Sequence, residues 1–255
     1  MIGVFDSGLG GLSVLRAVRD LLPSHDLLYL ADSAYCPYGP RPLAEVQARA
    51  LTIGRWLVEQ GAAVVVIACN TATSAAASLL RADLPVPVVG MEPGIKPAML
   101  ATRSGRVAVL ATIGTLRGER FANLLDRFAG GAQVRTVACP DLVGYVEAGD
   151  LDGPEVRAAV AGYLVPLLAD GVDSFVLGCT HFPFLRPLIA DMVGPNATII
   201  DTGPAVAAQV ARVVATAGAG GGGTLRCVTT GDPTEVSPSL TRVWGEPLPI
   251  SQLKL

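Results

Sequence analysis

Short, unbroken apolar runs rich in Val, Ile and Leu alternate along the chain with longer segments of helical periodicity. The runs predict strands at Ile2–Phe5, Asp26–Ala31, Ala63–Ala68, Val86–Gly90, Arg106–Ala111, Gln133–Ala138, Ser174–Leu177 and Ala197–Ile200. Helical spacing predicts helices near Leu12–Leu22, Leu43–Gln60, Ser74–Ala82, Gly118–Ala129, Pro154–Asp170, Phe184–Met192 and Pro204–Ala217. Strands without polar alternation are buried on both faces, and strands that alternate with helices form parallel sheets with helices on either side. The predicted fold class is therefore α/β. A last run, Leu225–Thr229, reads as one more strand able to rejoin the first unit.

The halves carry a weak internal symmetry. Ala63–Thr71 (AVVVIACNT) resembles Asp173–His181 (DSFVLGCTH), with Cys69 and Cys179 in matching places 110 residues apart. Two similar parallel-sheet units would put these elements on facing walls. The Ala217–Gly223 tract contains a formal GxGxxG at Gly218, Gly220 and Gly223, but it follows a helix and precedes a strand. That is the reverse of a dinucleotide fingerprint, so the tract reads as a flexible loop.

Composition narrows the class. Of 255 residues, 51% are hydrophobic and 16% charged, which supplies a core and excludes a disordered chain. The net charge is −3 and no basic patch stands out, so a nucleic-acid footprint is not indicated. The uncharged run Gln60–Leu80 is broken by Asn70, Thr71, Thr73 and Ser74, and reads as a buried strand and helix rather than a membrane span. Met1 is followed by Ile-Gly-Val-Phe-Asp with no basic segment, so no signal peptide is expected, and the expected location is the cytoplasm. Five Cys, widely spaced and without a CxxC, argue against a disulfide framework, and with only two His no zinc site is expected.

The candidate chemistry lies at strand ends. Ligands of parallel sheets bind beyond the carboxyl ends of the strands. Cys69 and Cys179 sit there, each before a helix whose free amides favour an anion, so a downward shift and a partly ionised thiol are expected. A buried, inert Cys is the competing reading for either one alone. In Val4–Gly11, Asp6 and Ser7 project at a strand end ahead of close-approach glycines, either as caps or as ligand contacts. His181, two residues after Cys179, is either a structural hydrogen-bonder or a proton partner. Glu147 by itself reads as a surface acid, and Tyr38 as part of a rigid turn or a lid. Cys36, Cys139 and Cys227 read as structural.

Together, Phe5–Gly11 (FDSGLGG), Pro37–Gly39 (PYG), Ala68–Ala72 (ACNTA), Glu92–Gly94 (EPG), Leu142–Glu147 (LVGYVE) and Leu177–His181 (LGCTH) resemble the glutamate racemases of the aspartate/glutamate racemase family, in order and spacing. The resemblance implies two similar α/β domains facing each other across a cleft, with a cofactor-independent, metal-free, two-base mechanism. The domains are expected at 1–92, carrying Asp6 and Cys69, and 93–204, carrying Glu147 and Cys179, with 205–255 returning to the first. It implies Cys69 and Cys179 as the catalytic pair, with Asp6, His181 and Glu147 assisting. Ser7, Tyr38, Gly39, Asn70, Thr71, Thr112, Thr115 and Thr180 match substrate-binding positions, together with Asp6 and His181. It further implies a homodimer that supplies D-glutamate for peptidoglycan synthesis.

Three other readings fit parts of the pattern: a racemase of aspartate or a hydantoin, a one-cysteine decarboxylase or hydrolase of the same fold, and an amino-acid-binding module. Only a two-base racemase gives both matched Cys a purpose. Pyridoxal-phosphate chemistry needs a Schiff-base Lys. The chain offers only Lys254, beside the C-terminus, and Lys96, in an expected Pro-bounded turn.

Overall fold

The computed structural model describes residues 1–217 and 220–255. Its strands are β1 (Ile2–Asp6), β2 (Leu27–Ala31), β3 (Val64–Ile67), β4 (Val88–Val89), β5 (Arg106–Ala111), β6 (Gln133–Ala138), β7 (Ser174–Gly178), β8 (Thr198–Ile200), β9 (Leu225–Thr229) and β10 (Ile250–Gln252). Its helices are α1 (Leu12–Leu21), α2 (Leu43–Glu59), α3 (Asn70–Asp83), α4 (Ile95–Ala101), α5 (Ile113–Leu116), α6 (Glu119–Phe128), α7 (Leu142–Glu147), α8 (Pro154–Ala169), α9 (Arg186–Val193), α10 (Gly203–Ala217) and α11 (Pro233–Trp244). The strands form two parallel sheets, in the orders β10-β9-β2-β1-β3-β4 and β6-β5-β7-β8.

The apolar runs form strands because both of their faces are covered. In β3, Val64 and Val66 enter one core while Val65 and Ile67 enter the core on the opposite face. In β5, Ala108 and Leu110 share the first of these cores, and Val107, Val109 and Ala111 form a third. One apolar core therefore runs from the first sheet to the second. Helix α10 packs along α1 and leads into β9, which pairs with β2.

Each sheet has a point where the strand order reverses. In the first, β1 continues to β2 on one side while β3 lies on the other; in the second, β5 and β7 flank the reversal. Connections leave such a point in opposite directions and open a crevice at the carboxyl ends of the strands. Asp6 ends β1 and Cys69 follows β3; Thr112 follows β5 and Cys179 follows β7.

Several expectations change at the level of elements. Lys96 lies inside α4 rather than in a turn; Pro97 falls in the first helical turn, where a missing N–H breaks no helix bond. Helices α5 and α7 are too short to show a period, α11 carries Pro238 in its interior, and β10 is a three-residue edge strand. The Gly/Ala tract lies partly outside the described residues, at 218 and 219. No helix among the described residues is long and apolar enough to cross a membrane.

Asp173 ties the approach to β5 onto the start of β7. It accepts from the Thr102 hydroxyl at 2.5 Å and from the amides of Arg103 and Ser104 at 2.9 and 2.8 Å. Burial pushes the carboxyl up, but these hydrogen bonds outweigh it and hold it below the usual range. A carboxyl depressed on folding stabilises the protein above its unfolded value of about 3.9, and that contribution fades as pH falls through the folded value. Asp173→Asn is expected to melt at a lower temperature at pH 7, with the gap to wild type closing below about pH 4. Melting curves across this range check it; a gap that widens in acid would contradict the assignment.

Candidate active site

Cys69 is the N-cap of α3. Its extended backbone turns the Sγ toward the helix, where it accepts from the Ala72 amide at 3.4 Å. Behind it lies Asp6, fully buried, with Oδ2 accepting from the amides of Gly11 at 2.8 Å and Gly8 at 3.4 Å. Asp6 Oδ1 is buried without a partner, and Asp6 and Cys69 stand close enough to shift each other's ionisation. Burial pushes the Asp6 carboxyl up, against the opposing pull of His181 and the Gly11 amide.

The expected lowering of the Cys69 thiol is not found. Burial and the Asp6 charge push it well above the ordinary thiol value, and the single amide at the helix N-terminus does not compensate. Burial therefore favours the neutral thiol at Cys69.

On the opposite wall, Cys179 follows β7 and leads into a 3₁₀ turn, Phe182–Leu185, instead of directly into an α-helix. Its Sγ lies 3.6 Å from His181 Nδ1, and His181 Nε2 shares a hydrogen bond of 2.6 Å with Glu147 Oε1. Glu147 is far from a free surface acid: the same oxygen accepts from the Leu9 amide at 2.7 Å, across to the first sheet. Burial presses His181 down, but hydrogen bonding to Cys179, Cys36 and Glu147 outweighs it and raises the imidazole well above its usual value. Cys36 therefore belongs to this cluster rather than to the passive core. Burial pushes its thiol up to about 12. Cys139 and Cys227 are buried, and burial raises each of them to about 12 as well.

The cleft between the walls is lined by Ser7, Pro37, Tyr38, Gly39, Cys69, Asn70, Thr71, Thr112, Val143, Cys179, Thr180 and His181. Asp6 and Glu147 stand behind this lining. Thr115 lies just outside it, in a hydroxyl cluster that links the walls: Thr71 Oγ1 meets Thr112 Oγ1 at 2.8 Å, and Thr112 meets Thr115 at 3.0 Å. Both polar atoms of the Asn70 side chain are buried without partners at the cleft, which marks the amide as a candidate ligand contact. The cavity is only about 10 Å³, room for about one water.

Two residues that position the site escaped sequence reasoning. The Tyr38 hydroxyl donates to Asp32 Oδ2 at 2.5 Å, and Asp32 is held by both Arg49 Nε and Nη2, at 3.0 and 2.7 Å, with Thr230 donating to its other oxygen. Tyr38 thus offers the cleft its ring while a buried ion pair fixes its hydroxyl. Asp32, next to a strand end, carried a positional signal; Arg49, inside a helix, carried none.

Glycines let the walls approach. A Cβ on Gly8 would stand 2.1 Å from Glu147 Oε1, and one on Gly10 would stand 2.3 Å from His181 Nδ1. Gly10→Ala must displace the imidazole, and a misplacement of about 1 Å costs roughly 10²-fold in rate. Turnover of Gly10→Ala is expected to fall by about that factor with its circular dichroism unchanged; full turnover in this variant would contradict the tight fit.

Two parallel α/β domains with a polar, thiol-bearing cleft at their facing switch points define a class, the amino-acid racemases. A model of the Asp/Glu/hydantoin racemase family matches residues 12–210. The chain belongs to this family, in its glutamate racemase branch. It is 51% identical to a glutamate racemase of Pseudomonas aeruginosa over 99% of this chain and 97% of the relative. A glutamate racemase isoform from Bacillus anthracis has a structure with a TM-score of 0.89 at 31% identity, covering 100% of this chain and 97% of that one. The Escherichia coli glutamate racemase, solved with L-glutamate and the activator UDP-MurNAc-ala, gives 0.87 at 30% identity, covering 99% and 98%.

Proposed function

We propose that this racemase interconverts L- and D-glutamate by a two-base proton transfer between Cys69 and Cys179, needing neither cofactor nor metal. The observation that carries this reading is the pair of thiols lining one cleft, each at the switch point of its own sheet. From L-glutamate, the Cys179 thiolate takes the α-proton and the electron pair delocalises into the carboxylate. The Cys69 thiol then gives its proton to the opposite face, leaving Cys179 as thiol and Cys69 as thiolate. From D-glutamate the same steps run backward.

Asp6 serves as proton partner behind Cys69, and His181, oriented by Glu147, behind Cys179. Asn70, Ser7, Thr180 and the Thr71–Thr112–Thr115 cluster supply donors for two carboxylates, which act strongly once water is excluded. Among the described residues, the cleft lining contains no Lys. The names of the relatives, and the L-glutamate bound to one of them, support the substrate. In this reading residues 1–92 with 205–255 form one wall and 93–204 the other, and their parting and closing gates the cleft. A cytoplasmic homodimer that supplies D-glutamate for peptidoglycan completes the proposal.

Incubating the protein with either glutamate enantiomer in deuterated water tests it. Loss of optical rotation with deuterium entering at Cα, undiminished by a chelator, is the expected result. Aspartate and glutamine are expected to react far more slowly: aspartate cannot reach both carboxylate sites, and glutamine forfeits charge-assisted hydrogen bonds of about 1.5–3 kcal/mol each. Equal kcat/KM for aspartate would overturn the glutamate assignment. Restoration of a dialysed, inactive protein by a cofactor would overturn the cofactor-free mechanism.

A further inference from the structure

Cys36 has no task in the mechanism above, yet it stands in the cluster behind the cleft. Its Sγ, a Glu147 carboxylate oxygen and a His181 ring nitrogen lie within 4.8 Å of one another. They come from three separate parts of the chain: the loop after β2, the end of α7 and the segment after β7. We propose that Cys36, Glu147 and His181 form a binding site for a soft divalent cation of the zinc class, through which the cation silences the Cys179 side of the cleft.

Thiolate, imidazole and carboxylate are the donor set of zinc, and three protein donors leave a fourth tetrahedral position for water. The thiolate selects zinc or cadmium over magnesium or calcium. Ligand atoms around a tetrahedral zinc stand roughly 3.3–3.7 Å apart, given bonds of about 2.0–2.3 Å. Glu147 Oε1 and His181 Nε2, now 2.6 Å apart, separate by about an ångström, and the cation takes the place of the proton between them. The Cys36 thiol releases its own proton to solvent.

A route to the site exists that does not pass through the closed cleft. Cys36 and Glu147 line a separate pocket of about 360 Å³ on their outer side. Its charged lining residues are Asp141, Glu147 and Glu235, with no Lys or Arg on its wall. Such a wall concentrates cations. The other side of the site is already braced: the Leu9 amide donates to Glu147, and His181 Nδ1 faces Cys179, leaving Nε2 to the metal. With a cation on Nε2, the ring keeps its remaining proton on Nδ1 and cannot accept another from Cys179. This silencing rests on the two-thiol reading above; binding of the metal does not.

Cadmium titration of the full chain tests the site, through the ultraviolet charge-transfer band of a thiolate–cadmium bond. Zinc inhibition of racemisation is measured in parallel, with magnesium as control. The expected result is a cadmium band in the wild type that is lost in Cys36→Ser and Cys36→Ala. Zinc inhibition should be reversed by chelator and weakened at least about tenfold in either variant, both still able to racemise. A band and an inhibition that persist unchanged in both variants would put the metal on other thiols and overturn the site, as would the absence of any band in the wild type. Loss of the band in both variants without zinc inhibition of the wild type supports the site and instead overturns the role given to His181 behind Cys179.

Discussion

Cys69→Ala and Cys179→Ala are each expected to abolish glutamate racemisation, because in the proposed mechanism each removes the proton-exchanging group on one face of the α-carbon. The two thiols line the same cleft, and Cys69 feels the charge of Cys179. Serine variants separate the half-reactions. A hydroxyl still donates a proton but is a poor base near neutral pH. Cys69→Ser is therefore expected to fail chiefly in deprotonating D-glutamate, and Cys179→Ser in deprotonating L-glutamate. A β-chloro analogue of each enantiomer expels chloride after deprotonation and reports one face at a time. Racemisation at the wild-type rate by either alanine variant would refute the two-thiol mechanism and return the one-cysteine chemistries to the front.

Asp6→Asn and His181→Asn should each lose about 10²–10⁴-fold in turnover with the fold retained. Asparagine at position 6 can still accept from the Gly11 amide through its carbonyl, so the β1–α1 turn survives while the ionisable group is lost. Asp6 stands close enough to Cys69 for each to shift the other's ionisation, which suits it to exchange a proton with that thiol. His181 stands in the same relation to Cys179, and Glu147 fixes its ring. The losses should be asymmetric, larger from D-glutamate for Asp6→Asn and larger from L-glutamate for His181→Asn. Residues that only cap would instead cost about 1 kcal/mol of stability and leave kinetics alone. Thermal melts beside kcat for each enantiomer decide; a lowered melting temperature with unchanged kcat would leave both residues as caps.

The candidate site was legible in the sequence wherever its signal was local. Cys69 and Cys179 announce themselves as thiols after apolar strands, and Ser7, Asn70, Thr71, Thr112 and Thr180 lie within a few residues of strand ends. Such positions follow from the rule that parallel sheets gather ligands at their carboxyl edge. Partnership was not local. Glu147 meets the Leu9 amide across 138 positions of sequence, and Cys36 reaches His181 only because the loop after β2 faces the second domain. Tyr38 reads in the sequence as part of a rigid turn or a lid, and only the packed structure shows its hydroxyl bound to the Asp32–Arg49 pair.

The sequence alone determined the two parallel α/β units and the placing of the matched thiols at strand ends, because hydrophobic period and strand termination are properties of short segments. The tertiary structure decided everything that depends on distance between units. It decided the crevice at β1/β3 facing that at β5/β7 and the return of β9 to the first sheet. It also reversed the expected ionisation of Cys69. A helix N-terminus lowers a thiol through an amide one turn away, a local effect visible in sequence. Desolvation depends on what covers the sulfur, and here Cys69 is buried in a core assembled from several distant strands and helices of its own unit, which no local pattern encodes.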